Sequence, residues 1–335
     1  MNDIEVKLKA ATTTICFKQY VSLPGDIVVT DSNLASKLSE YQPIIVPAGE
    51  KSKNLTEYAA VLDQLAQRGA KRKSRLVAIG GGVIGDLAGF AAATYMRGIP
   101  FVQVPTTLLS MVDSSVGGKV GVDTELGKNL VGAFYPAQEV YVDAAWLKTL
   151  ERRQWQSGMA EVLKYGFIMS EELAVSLENN PMLDSSDLRA NETIRACIEL
   201  KRKVVEADEF ETTGYRAILN FGHTVGHAIE KLTHYETYTH GEAISVGMVI
   251  EAKIGEKLGI TPTGLSSRLT NTLKAHGLPV NSPTTADVEN IIQSMRGDKK
   301  SVQGELSMSL LTGLGECRLI QDIAESDVRE VLSEC

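Results

Sequence analysis

Residues 77–98 read VAIGGGVIGDLAGFAAATYMRG, and the order of events in that stretch decides the fold. A short hydrophobic strand runs into Gly80, Gly81, Gly82 and Gly85, and a helix of small residues follows, expected from Gly85 to about Arg97. Glycine removes the side chain where a backbone must come close to a ligand. The free N–H groups and positive dipole end of the following helix suit a phosphate. This is the logic of a dinucleotide-binding turn, with GGGxxGD in place of GxGxxG; a merely tight strand-to-helix turn is the alternative.

Working outward, DIVVT (26–30), PIIVP (43–47), RLVAIG (75–80) and FVQVP (101–105) read as buried strands, and NLTEYAAVLDQLAQRG (54–69) reads as a helix. Strand–helix alternation of this kind predicts a parallel sheet covered by helices. The character changes near 145–152. Beyond it the chain is nearly all helix-periodic, as in SGMAEVLKYGFIM (157–169), ETIRACIELKRKVVEADEF (192–210) and AISVGMVIEAKIGEKLG (243–259). A short β-like piece, ELSMSLLTG (305–313), precedes a last helix. The expected fold is α/β: a Rossmann-like parallel-sheet domain over 1–150, then a mostly α-helical domain over 151–335.

Composition excludes several classes of function. No run of 18 apolar residues is present to span a membrane. MNDIEVKLKAATTT lacks the features of a secretory signal, and the four scattered cysteines contain no CxxC, so a reducing cytoplasm is expected. A net charge of −8 argues against a general nucleic-acid binder. In such an acidic chain, lysines gathered in one place suggest an anionic ligand.

Two stretches carry the chemistry. PTTLLSMVDSSVGGKVGVDTELGKNLVGAFYP (105–136) holds Asp113, Lys119, Lys128 and Asn129 on glycine-containing turns, and a lysine serves phosphate or carboxylate as a point charge. An exposed hairpin with solvated lysines is the plainer alternative. The second stretch is NFGHTVGHAIE (220–230) followed by HGEAISVGM (240–248). Helical spacing puts His223 and His227 on one face. Glu161, in the apolar setting of MAEVL, is a buried charge that needs a partner, and Lys164 lies three residues on. One carboxylate and two imidazoles with an open position is the composition of a catalytic Zn²⁺-type site. Whether His223 and His227 share a metal, or one of them does chemistry, is left open by spacing alone. Thr224 stands where HExxH would have its general base, which disfavours a zincin protease. His234 and His276 are expected on the surface, and the Lys299–Lys300 pair in a solvated turn.

The motifs GGGVIGDLAGFAAATYMRG, VPTTLLSMVDSSVGGKVGVD, GKNLVGAFYP, MAEVLKYG, LNFGHTVGHAIE, HGEAISVGM and the DKK tail, in order from about Pro47 to Gly313, resemble the 3-dehydroquinate synthase family of the shikimate pathway. That family belongs to the sugar-phosphate cyclases, whose fold is shared with glycerol dehydrogenase-like enzymes. The resemblance implies that Glu161, His223 and His240 hold one divalent ion, Zn²⁺ or Co²⁺. It implies NAD contacts from Gly49, Glu50, Lys51 and Lys53, from Gly82, Val83, Ile84, Gly85 and Asp86, and from Thr106, Thr107, Asp113, Lys119 and Lys128. The segment Leu147, Lys148 and Thr149 completes that set. Substrate contacts are implied for Lys119, Asn129, Lys164, Lys201, Arg216, Asn220, His227, Lys299 and Lys300, and Arg97 is similar to an arginine reaching the phosphate site across a homodimer. DEFETTGYR (208–216) is one residue longer than the family's usual segment, which bears on Glu211.

The implied reaction explains why these parts coexist. The substrate, 3-deoxy-D-arabino-heptulosonate 7-phosphate, carries a carboxylate and a phosphate, hence the cations. Transient oxidation at C5 acidifies the C6 proton, phosphate leaves, the hydride returns, and an aldol step closes the ring. Cyclases of uncharged sugar phosphates and metal-dependent polyol dehydrogenases are the rival readings. Lys201, Asn220 and His227 weigh against the first, and the lysine set against the second.

Overall fold

The computed structural model describes residues 2–9, 11–282, 287–298 and 305–334. The chain forms two compact units. The first comprises Met1–Leu150 with Ile194–Phe210, and the second Glu151–Thr193 with Glu211–Cys335.

The first unit opens with strands β1 (Ile4–Lys7), β2 (Thr12–Cys16), β3 (Ile27–Asp31) and β4 (Ile44–Val46), then helix α1 (Leu55–Gln67). Strand β5 (Leu76–Gly80) leads through the glycine turn into α2 (Gly82–Thr94), followed by β6 (Phe101–Pro105), β7 (Lys119–Thr124), β8 (Gly127–Phe134) and β9 (Glu139–Tyr141). The main sheet has the order β1-β2-β9-β6-β5-β3-β4, parallel throughout except that β1 runs antiparallel to β2. Strands β5 and β6 are buried at every position, as a sheet covered on both faces requires. Val28, Val77, Ile79, Val102 and Val104 pack with Leu34 and Leu38 in one apolar cluster. Chain order sends β4 to one side of β3 and β5, β6 and β9 to the other. The carboxyl ends of β3 and β5 therefore flank a topological switch point, where ligands of open α/β sheets bind. The glycine turn leaves β5 at that point.

The second part of the chain begins with α3 (Arg152–Met169), α4 (Glu171–Asn179) and α5 (Ala190–Ala207). The sequence pattern assigned all of 151–335 to one domain, but Ile194–Phe210 groups with the sheet unit. Polar contacts explain this. The Glu206 and Glu209 carboxylates accept the backbone N–H groups of Lys7 (2.7 Å) and Lys9 (2.6 Å), at the end of edge strand β1. The Arg195 guanidinium lies over the Phe17 ring at 5.0 Å.

The second unit continues with α6 (His223–Leu232), α7 (His240–Lys257), α8 (Leu265–Ala275), α9 (Val288–Asp298), β10 (Glu305–Gly313), β11 (Glu316–Ala324) and α10 (Glu325–Ser333). Val225 and Ile229 of α6, Val246, Ile250 and Ile254 of α7, and Met308 and Leu310 of β10 share its core. The strand β11 is absent from the sequence reading, and the β7–β8 hairpin enters it only as the alternative of an exposed hairpin. Their burial is incomplete and alternates irregularly, so no clean period of two marks them. No helix among the described residues is long and apolar enough to cross a membrane.

Candidate functional site

In the first unit the glycine turn is closely walled. A Cβ on Gly81 would lie 3.2 Å from Thr107 Cγ2, and one on Gly82 would lie 3.3 Å from Ser114 Oγ. Thr106 donates its backbone N–H to the Gly80 carbonyl (2.9 Å), which carries the parallel pairing past the end of β6. Val83, Ile84, Gly85 and Asp86 form the first turn of α2. Gly49 has φ +106° and opens a short turn, Glu50–Ser52, that includes Lys51. Lys53 follows it, 5% exposed, and pairs with Asp86 at 2.7 Å. Burial works against the Lys53 charge, but Asp86 and then Glu50 outweigh it and raise the lysine's pKa. Lys128 Nζ is 3.4 Å from the Glu50 carboxylate. The PAGEKSK loop, the glycine helix and the β7–β8 hairpin are thus joined by a chain of ion pairs. Asn129 takes a left-handed φ of 55°, its N–H held by Asp123 Oδ1 at 2.8 Å. Lys119 opens β7 and is exposed. Lys201 donates to both the carbonyl and Oδ1 of Asp113, each at 2.7 Å. The short helix Ala144–Thr149 buries Leu147 and exposes Lys148 and Thr149. Arg97 is exposed, with φ 65°.

In the second unit, three elements converge on one carboxylate. Glu161, on α3, is wholly buried. Its Oε1 is 3.4 Å from His223 Nε2 and 3.3 Å from His240 Nε2. One donor atom from each of these residues lies within 4.8 Å of the others. Local sequence fixes each ring. Thr239 and Glu242 form a reciprocal capping box, so His240 is locked into the first turn of α7. Arg153 of α3 grips Glu242 through two hydrogen bonds of 2.8 and 2.7 Å and ties that turn to the Glu161 helix. His223 is the first residue of α6, after Gly222 in the left-handed region (φ 82°). Its Nδ1 lies 3.1 Å from the Phe221 carbonyl, which leaves Nε2 aimed at Glu161.

Burial opposes ionisation of Glu161, but the Lys164 ammonium and then the two facing histidines hold its pKa well below the usual range. Lys164 pairs with Oε2 of Glu161, yet that oxygen forms no well-directed hydrogen bond among the described residues. Burial, then the Lys164 charge, pushes His223 down to about 4 despite Glu161, so its ring is neutral at pH 7. A buried carboxylate oxygen, Glu161 Oε1, faced by two imidazole nitrogens fits a divalent ion with an open position. His227 lies beside this group and outside it. Its ring centroid is 5.3 Å from that of His223 and 6.2 Å from that of His240.

The structure gathers Glu161, Lys164, His223 and His240 in contact, with His227 adjacent. Arg216 is buried, 3.6 Å from the Glu211 carboxylate, so the longer segment at 208–216 supplies it with an anionic partner. Asn220 is half-buried at the end of the turn Tyr215–Asn220. Lys299 and Lys300 lie outside the described residues. His276, expected on the surface, is 1% exposed. Its Nδ1 donates to the Thr272 carbonyl (2.8 Å) and its Nε2 accepts the Met182 N–H (3.3 Å), so both ring nitrogens are satisfied in the interior. Among the buried acids that escaped the sequence reading are Glu230 and Glu251. Glu230 lies 3.5 Å from His240 Nδ1. Glu251 accepts the N–H groups of Gly222 (2.7 Å) and Val225 (3.1 Å) at the start of α6. A charge inside the apolar run GMVIEA was the available signal for Glu251, by the same reasoning that singled out Glu161.

Residues 43–157 match the family model for the N-terminal part of 3-dehydroquinate synthase, and residues 158–301 match the model for its C-terminal part. The chain belongs to the 3-dehydroquinate synthase family. A 3-dehydroquinate synthase of Shewanella halifaxensis is 43% identical over 328 residues, covering 94% of this chain and 91% of that one. One of Desulforamulus reducens is 46% identical over 291 residues, covering 86% and 81%. Among solved structures, 2-deoxy-scyllo-inosose synthase complexed with carbaglucose-6-phosphate, NAD⁺ and Co²⁺ superposes with a TM-score of 0.87 at 28% identity, covering 99% of both chains. A 2-epi-5-epi-valiolone synthase of Streptomyces hygroscopicus shares the fold, with a TM-score of 0.87 at 22% identity over 98% of this chain and 97% of that one. The function of this chain is that of its family, 3-dehydroquinate synthase, a lyase-type enzyme.

Proposed function

We propose that this activity depends on NAD, reduced and reoxidised within each turnover, and on one Zn²⁺ or Co²⁺ held by Glu161, His223 and His240. The observation that carries the metal reading is the convergence of both histidine Nε2 atoms on one Glu161 oxygen, at 3.4 and 3.3 Å. When bound, NAD supplies a hydride acceptor and donor at C5, and the ion supplies a Lewis acid for the oxygen there. The protein's share is position and charge.

In the first unit, the turn from Gly82 to Asp86, with Thr106, Thr107 and Asp113, receives the dinucleotide, and its glycines admit a pyrophosphate to the start of α2. Gly49, Glu50, Lys51, Lys53, Lys128 and the 147–149 segment complete that surface. Lys119 and Asn129 serve the substrate phosphate, Lys119 with NAD as well, and Lys201 serves the carboxylate end. In the second unit, Lys164, Arg216 and Asn220 orient the substrate by its carboxylate and hydroxyls. His227, outside the ligand set, is assigned to the phosphate or a proton, and Lys299 and Lys300 to the phosphate. Fixed cations around a departing dianion need no reorganisation as it leaves, and one such group contributes about 2–4 kcal/mol. A cytoplasmic homodimer, with Arg97 reaching the partner subunit's phosphate region, completes the reading.

The test is phosphate release from 3-deoxy-D-arabino-heptulosonate 7-phosphate with NAD⁺ below the enzyme concentration and Zn²⁺ present, while NADH absorbance is followed. Many turnovers per NAD⁺ with no accumulated NADH are expected. Stoichiometric NADH, or undiminished turnover after NAD and metal are stripped, refutes the cofactor roles.

A further inference from the structure

The two imidazoles that converge on Glu161 are oriented by different means. His223 has the neutral Phe221 carbonyl against its Nδ1. His240 has a carboxylate: Glu230 Oε2 stands 3.5 Å from Nδ1, on the side of the ring opposite Glu161. A histidine that presents Nε2 to an ion must carry its proton on Nδ1, and that proton needs an acceptor. Glu230 is only 2% exposed, so its charge cannot be explained as a solvated surface acid. It lies seven residues after His223 on α6, two helical turns along the same face. One helix therefore carries a ligand and also the group facing the other ligand's remaining nitrogen.

We infer that Glu230 is a positioning residue for His240, holding its Nδ1–H tautomer and ring orientation and strengthening Nε2 as a donor to a divalent ion. The inference rests on the metal reading proposed above. A carboxylate hydrogen-bonded to a ligating histidine raises the basicity of the ring, and loss of such a partner weakens metal binding about 10- to 100-fold. His227 also lies near Glu230 and His240, and one donor atom from each of the three falls within 4.8 Å of the others. A second ion there would require His240 to bind metal through both nitrogens. An orienting carboxylate needs only one ion and the usual neutral imidazole.

The experiment is chelator competition with Zn²⁺ alone on the full chain, with the bound ions counted, for wild type, Glu230→Gln and Glu230→Ala. Thermal unfolding of each metal-free protein is measured alongside. One ion per chain is expected in wild type. Glu230→Ala should bind about 10- to 100-fold more weakly. Glu230→Gln keeps an acceptor but not the charge, and should fall between the two while its metal-free unfolding stays close to wild type. If Glu230→Ala does not fold, the isosteric glutamine variant decides. Unchanged Zn²⁺ affinity in Glu230→Gln overturns the role of the carboxylate. Two ions per chain, one lost with Glu230, overturn it by making Glu230 a ligand. A wild type that binds no Zn²⁺ sinks the metal reading itself and this inference with it, an outcome distinct from wild-type-like affinity in the variants.

Discussion

Replacing His223 and His227 separately by alanine tests the metal assignment most directly, because the two rings are neighbours on one helix face and differ in what they touch. His223 Nε2 lies 3.4 Å from Glu161 Oε1 and belongs to the three-residue group around that carboxylate. His227 is near His223, with ring centroids 5.3 Å apart, but lies outside that group. Four-ligand structural zinc sites bind with about 10–16 kcal/mol, or roughly 2.5–4 kcal/mol per ligand. At about 1.4 kcal/mol per decade, loss of one ligand weakens binding on the order of 10²- to 10³-fold. His223→Ala should therefore lose Zn²⁺ to a competing chelator by that factor, whereas His227→Ala should stay within about threefold of wild type, since Glu161, His223 and His240 all remain. The same His227→Ala protein should release phosphate far more slowly when loaded with Zn²⁺ and NAD⁺. Equal loss of metal in the two variants, or greater loss in His227→Ala, would refute the reasoning.

Two further outcomes follow from the geometry. Burial opposes the charge on His240, but its hydrogen bonds to Glu161 and then Glu230 outweigh burial and push its pKa up to about 10 in the metal-free protein. Its side chain keeps 28% exposure, so solvent trims that effect. Because the folded pKa lies above the ordinary 6.5, this charge stabilises the metal-free fold fully below pH 6.5 and loses that effect as pH rises toward 10. An incoming ion must displace the same proton, so Zn²⁺ affinity should climb with pH across this window, by up to about tenfold per pH unit; affinities flat from pH 6.5 to 9 count against it. The second concerns Gly247, where a Cβ would sit 2.0 Å from the Gly222 carbonyl oxygen and 2.8 Å from Gly226 N, both backbone atoms of the α6 region. Gly247→Ala must part α6 from α7, destabilising the protein by at least about 1–3 kcal/mol and weakening Zn²⁺ binding through the displaced His223 and His240; an unchanged denaturation midpoint would show that the helices yield without cost.

The sequence by itself determined a good deal. Alternating buried strands and helices predicted the parallel sheet, and the glycines after VAI predicted the strand-to-helix turn, because period and backbone freedom are properties of short segments. The capping box around His240 was also written locally, in Thr239 and Glu242. Chemically specific motifs carried the ligand assignments, where helical spacing alone left His223 and His227 equivalent.

What only the tertiary structure decided is which distant charges face one another. Glu161 and His240 are 79 residues apart in the chain, and Lys201 and Asp113 are 88 apart. The Glu206 and Glu209 contacts that draw the 194–210 segment to the sheet unit span 199 and 200 residues. His276 reads as a loop residue until the Met182 backbone, 94 residues earlier, supplies the donor that lets it sit inside. Glu230 and Glu251 look like ordinary charges of amphipathic helices until packing removes their water. A buried charge needs a partner, but the chain states only the need. The fold supplies the partner, because a hydrogen bond is decided at about 3 Å in space, whatever the separation along the chain.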